Sequence, residues 1–237
     1  MGIQGHGDSP WQGHVHGSKG YKRMILALFA AGVATFSQLY SVQGVLPELS
    51  RDLGISQSQA ALAVSSATLG LACSVLVWSL LADRIGRLRT MTIAVVCAVV
   101  LGLAVPFSPG FEWLLALRFV EGLALGGIPA VALAYLAEEV SHLHAAVAAG
   151  TYISGTSLGG LAGRLVAGPL SEFWNWRVGT LVVSVMAAIA ATVFIAVAPK
   201  PRGFTPVPWS SPHTIPLWKK LWMNLRHGSL LALYAQG

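Results

Sequence analysis

Six runs of apolar residues, each about as long as a bilayer is thick, constrain this chain more than anything else in it. Crossing roughly 30 Å of hydrocarbon takes about 20 helical residues at 1.5 Å each. Backbone polar groups inside the bilayer must be satisfied within the segment, so the spans are predicted to be helices. They fall at 24–46, 59–82, 90–107, 112–136, 145–168 and 178–198. The connectors, 47–58, 83–89, 108–111, 137–144 and 169–177, are short and carry Pro47, Gly54, Pro109, Gly110 and Pro169 as breakers. Successive helices should therefore be antiparallel neighbours. The expected fold class is all-α, a polytopic membrane protein with six transmembrane helices in one bundle.

Composition agrees. Only 10% of the residues are charged, where a soluble domain carries roughly 25%, so most of the surface does not face water. Gly is abundant, at 26, and much of it lies inside the apolar stretches, where small residues let helices approach closely. The formal net charge of +6 is one that nucleic-acid binders share. Here the basic residues lie between spans rather than on a soluble module, so no nucleic-acid partner is expected and the lipid bilayer is. Lys19, Lys22, Arg23, Arg84, Arg87, Arg89, Lys200, Arg202, Lys219, Lys220 and Arg226 fall on one side, against Arg51 and Arg177 on the other. Eleven against two is a positive-inside bias that puts both termini in the cytoplasm.

Outside the bundle, residues 1–23 read as a disordered cytoplasmic tail. Its His6, His14 and His16 fit a disordered tail, a tag remnant or a misassigned start better than a metal-binding tract. Residues 199–228, rich in proline with Lys219, Lys220 and Arg226, read as a cytoplasmic linker. Residues 229–237 read as the start of a truncated seventh helix. Cys73 and Cys97 fall within spans and read as small packing residues, not as a disulfide or metal ligands. No cofactor and no metal is expected.

The most specific segment runs from Ser79 to Arg89, between the second and third spans. Asp83 ends a helix, where the dipole disfavours an anion, so it needs a cationic partner. Gly86 permits a tight reversal. Arg84, Arg87 and Arg89 suit carboxylates, helix-end carbonyls or anionic headgroups. Arg87 is also placed to neutralise Glu138 or Glu139 at the end of the fourth span.

With Leu81, Asp83, Arg84, Gly86 and Arg87 in register, this loop resembles the signature G-x-L-x-D-R-x-G-R-[RK] of the major facilitator superfamily. It departs at Ser79, in place of the first glycine, and at Leu88, which displaces the last basic residue to Arg89. The resemblance covers residues 24–234 and implies an N-terminal half: one six-helix bundle with a 3+3 inverted repeat, similar to bacterial proton-coupled exporters of drugs or metabolites. It implies a multi-pass protein of the bacterial inner membrane that moves small organic compounds and protons by alternating access, one bundle rocking against another about a midplane site. Asp83, Arg84, Gly86 and Arg87 would then form a conformational latch.

Further site residues lie inside the spans. Arg118, Glu121 and Gly122 share one side of the fourth helix, at i, i+3 and i+4. They fit the family's R-x-x-x-G motif, which makes Arg118 and Glu121 the candidates for proton coupling, facing a partner bundle. Gly122 and Gly126 form a close-packing pair, and Gly155, Gly159 and Gly163 recur every four residues on the fifth helix. By the family's cavity lining, Gln38, Tyr40 and Gln43 on the first helix and Tyr152 on the fifth are candidate substrate contacts. Arg164 is left between facing the cavity and snorkelling outward.

Two other readings stand beside the carrier. One is a transport-inactive half, awaiting its missing C-terminal half or pairing as a homodimer. The remote one is an intramembrane serine protease built on Ser154-Gly155, but Tyr152 occupies the site of that motif's first glycine. No G-x-x-x-x-G-K-[ST] loop occurs, so an ATP-driven pump is not expected of this chain.

Overall fold

The computed structural model describes residues 13–204. Among the described residues the regular structure is helical, with one isolated parallel bridge between His14 and Val140. The helices are α1 (Lys19–Ser41), α2 (Leu46–Leu53), α3 (Gln57–Ile85), α4 (Arg87–Ala104), α5 (Phe111–Leu125), α6 (Pro129–Glu139), α7 (Ala145–Phe173) and α8 (Trp176–Val197). A 3-10 turn, Val42–Val45, joins α1 to α2. Among the described residues, five stretches are long and apolar enough to cross a membrane: Lys19–Leu53, Gln57–Ile85, Arg87–Phe107, Phe111–Glu139 and Trp176–Val197. α7, at 29 residues, has the length for a sixth span but is diluted by Gly and hydroxyl side chains.

The boundaries differ from the sequence expectation in ways local chemistry explains. Order begins before residue 24: the Ser18 hydroxyl accepts the Tyr21 N–H at 3.2 Å and caps a helix that starts at Lys19. That stretch of the expected tail is structured, while residues 1–12 lie outside the described part. Pro47 does not end the first span, because it occupies the first turn of α2, where a missing N–H is harmless. α2 stops at Gly54, in the left-handed conformation at φ +63°. Asp83 and Arg84 belong to the last turn of α3 rather than to a loop, and Gly86 alone reverses the chain at φ +101°. The fourth span is broken between α5 and α6, since Pro129 lacks an N–H and follows Gly126 and Gly127. Gly127 and Ile128 instead donate to Ala124 and Leu125, three residues back, at 3.2 and 3.3 Å.

Packing is set by small residues. α1 lies along α7 and α8, and α3 lies along α5. A Cβ at Gly155 would come 2.5 Å from the Phe29 carbonyl oxygen, and one at Gly159 would come 2.7 Å from Val33 Cα. Gly163 likewise abuts Ser37. Gly122 abuts Ala67, and Gly126 abuts Ser74. Cys73 and Cys97 are free thiols on the outer surface, not packed inside as their apolar setting suggested.

Candidate functional site

At the α3–α4 turn, Arg87 donates to Asp83 Oδ1 at 2.5 Å and to Glu138 Oε1 at 3.0 Å. Asp83 stands at a helix C-terminus and Arg87 at a helix N-terminus, so each faces a dipole of its own sign. Their pairing across Gly86 relieves both. Arg84 is half-buried beside them.

Glu139 does different work. It is fully buried, and its Oε1 accepts the backbone N–H groups of Arg202 at 2.6 Å and Gly203 at 2.7 Å. The Tyr135 hydroxyl donates to the Pro199 carbonyl at 2.5 Å, and Arg23 Nε donates to that of Val197 at 3.0 Å. On the other flank the His14 N–H donates to the Glu139 carbonyl at 2.7 Å. Burial pushes the His14 imidazole below its ordinary value, against the attraction of Glu139.

Deeper in the bundle, Arg118 and Glu121 are completely buried and paired at 2.6 Å. The Arg118 guanidinium also donates to the carbonyls of Ala63 at 3.3 Å, Gln38 at 3.2 Å and Leu39 at 2.7 Å. Gln38 and Leu39 sit in the last turn of α1, where carbonyls run out of helical donors. Arg118 therefore caps α1 from a neighbouring helix, at the end where the dipole favours a cation. This corrects the expectation that Arg118 and Glu121 face outward to a partner bundle: the pair is sealed among α1, α3 and α5. Gln38 is sealed with it, its amide nitrogen donating to the Ala98 carbonyl at 3.3 Å.

Tyr152 is also buried, in the apolar cluster with Met24 and Leu28, and its hydroxyl has no partner among the described residues. Gln38 and Tyr152 are thus interior residues rather than cavity lining in this structure. Their sequence positions, one turn from accessible residues, do not betray which way they turn.

Tyr40 and Gln43 do reach an accessible face, and they meet Arg164 there. Arg164 Nε donates to Gln43 Oε1 at 2.6 Å, and its guanidinium carbon lies 4.3 Å from the centre of the Tyr40 ring. Arg164 is nine residues from the end of α7, about 14 Å at helical rise. A cation at such depth facing lipid tails would cost about 2.5–3.5 kcal/mol at the helix centre, so this face suits an aqueous cavity. Arg164 is the residue that sequence reasoning left undecided. The signal was the placement of Tyr40 and Gln43 three apart on the facing helix.

Comparison with known proteins gives one answer. The model of the Major Facilitator Superfamily matches residues 25–236. The uncharacterized MFS-type transporter YybF of Bacillus subtilis is 40% identical over 190 residues, 80% of this chain and 47% of the relative. The inner membrane transport protein YnfM of Escherichia coli is 35% identical over 221 residues, 93% of this chain and 52% of the relative. A bacterial homolog of the human lysosomal transporter Spinster, solved in an inward-facing and unoccupied conformation, superposes with a TM-score of 0.69 at 20% identity. That match covers 83% of this chain and 47% of the other, and it speaks for the fold alone. The chain spans about half the length of the curated relatives it matches. With its helical bundle, its D-R-x-G-R turn and these matches, the chain belongs to the Major Facilitator Superfamily.

Proposed function

We propose that the chain is one wall of a proton-coupled secondary carrier that exports small organic compounds across the bacterial inner membrane, with both termini cytoplasmic. The observation that carries the reading is the Arg118–Glu121 pair. Among the described residues, Glu121 is the carboxylate set in the membrane interior, while the others stand near the ends of the bundle. An intramembrane acid held by a fixed cation is a natural proton-binding element, because the cation tunes the balance between its charged and neutral forms. The Arg118 contacts join three helices, so the bundle would rock as one body while the Tyr40–Gln43–Arg164 face opens to each side in turn. Asp83, Arg84, Gly86 and Arg87 would act as the latch, since the Arg87 contacts to Asp83 and Glu138 can be exchanged for contacts to a second bundle. That bundle is a C-terminal half or a second copy of this chain.

The test is flux in proteoliposomes under an imposed pH gradient, for the chain alone and joined to the second half of YnfM. The expected result is compound-dependent proton flux in the joined protein, abolished by Glu121→Gln, and none in the chain alone. Asp83→Asn should slow flux while leaving binding largely intact. Flux that ignores the pH gradient would overturn proton coupling. Orientation is checked in a variant lacking Cys73 and Cys97. Gln57→Cys should react with an impermeant thiol reagent from outside and Arg89→Cys should not; the opposite labelling would reverse the topology.

A further inference from the structure

The geometry points to Arg164, framed by Tyr40 and Gln43, as an anion-binding subsite, and so to substrates that carry a carboxylate or comparable anionic group. The inference rests on the carrier reading above and names the substrate class for that face.

Three observations carry it. First, Arg164 is held but not neutralised. Its Nε is fixed by the Gln43 amide oxygen and its plane by the Tyr40 ring. No carboxylate lies within ion-pair distance among the described residues, and its two terminal nitrogens make no hydrogen bond there. A guanidinium anchored through Nε keeps the fork of its terminal N–H groups, which matches a carboxylate or phosphate in two parallel hydrogen bonds. Second, the side chain is exposed at the depth of the apolar helices, on a face its neighbours make accessible. Gly150, Ser157 and Arg164 recur every seven residues along α7 and are all exposed. At helical periodicity these three share one accessible face with the exposed Ile153 and Leu161, so Arg164 is the one charge on a face of mixed small and apolar residues. Third, an aromatic surface adjoins the cation. The rings of Phe36 and Tyr40 have centroids 6.3 Å apart. They offer an apolar wall for the body of a ligand whose charged end meets Arg164.

The snorkelling alternative places a lipid phosphate on the same nitrogens, and the experiment separates the two sources. The chain is placed in nanodiscs of phosphatidylcholine and titrated with benzoate and with neutral benzamide, followed by saturation-transfer NMR. Benzoate should bind and benzamide should bind about tenfold more weakly or worse. Arg164→Gln should remove the preference while the melting profile stays unchanged, and Arg164→Lys should restore part of it. Gln43→Ala, which frees Nε, should weaken benzoate binding less than Arg164→Gln does. Equal binding of the two probes, or benzoate binding untouched by Arg164→Gln, would overturn the subsite. So would benzoate binding that is absent in phosphatidylcholine and appears only in discs of a phosphate-free galactolipid, because the lipid phosphate would then be the occupant. Proton-coupled flux of neutral compounds in the joined protein, with no benzoate binding, would sink the subsite and leave the carrier standing. Benzoate binding without any flux would leave the subsite and sink the carrier.

Discussion

Arg118 and Arg164 approach the same stretch of α1 from opposite sides, and they live under opposite rules. Arg118 is entirely buried, and its guanidinium is engaged by Glu121 and three carbonyls. Arg164 is exposed and has one hydrogen bond and one aromatic face. An arginine whose three nitrogens are all engaged within the fold holds the fold together, whereas one held by a single edge is prepared for something outside it. The difference lies in the partner helices, α5 and α7, which turn similar residues inward and outward.

The comparison breaks most visibly at Arg118. Arg118→Gln should lower stability by about 3–5 kcal/mol, because it strands the Glu121 carboxylate without a cation and uncaps α1. Thermal unfolding in detergent measures this, and Arg118→Gln with Glu121→Gln should recover part of the loss. A loss below about 1 kcal/mol would show that the pair is not sealed. Next comes the α1–α7 seam that brings Arg164 to α1. Gly159→Val would push a side chain against Val33 and should cost about 1–3 kcal/mol by the same measurement. Arg164→Gln, by contrast, should change stability by no more than about 0.5 kcal/mol. A large loss there would erase the distinction between the two arginines.

The smallest effect lies at the far end of the bundle. Because burial lowers the His14 pKa, the folded segment binds fewer protons than the unfolded one just below the ordinary value of about 6.5. Stability there should be full above that value and fall as pH drops through it. Hydrogen exchange at Ser141, whose N–H donates to the His14 carbonyl, should lose protection between neutral pH and about pH 5.5 after correction for intrinsic rates. His14→Asn should remove the dependence.

Much of the fold was legible because hydrophobic length and glycine spacing are one-dimensional signals. Residues 155, 159 and 163 announce their seam without coordinates, and the turn at Gly86 announces itself through its charged neighbours. The break at Gly126–Ile128 was missed because the apolar run is uninterrupted there and only Pro129 hints at it. The site was less legible. Tyr40 and Gln38 are two residues apart on a helix, in a run where Thr35, Ser37, Ser41 and Gln43 make polar positions common on every side, so the pattern does not say which one the bundle swallows. Arg118 and Arg164 look alike for the same reason: an arginine in an apolar run has no sequence mark for how many of its donors the fold has claimed.

The Glu139 contacts reset the geometry of whatever follows α8. Because the backbone of Arg202 and Gly203 is held by a buried carboxylate, and Phe204 lies beside Gly86, the segment that leaves α8 is tied back onto the bundle instead of departing from it at residue 198. Residues 202–204 thereby end beside the α3–α4 turn, so a displacement of that turn would carry them with it.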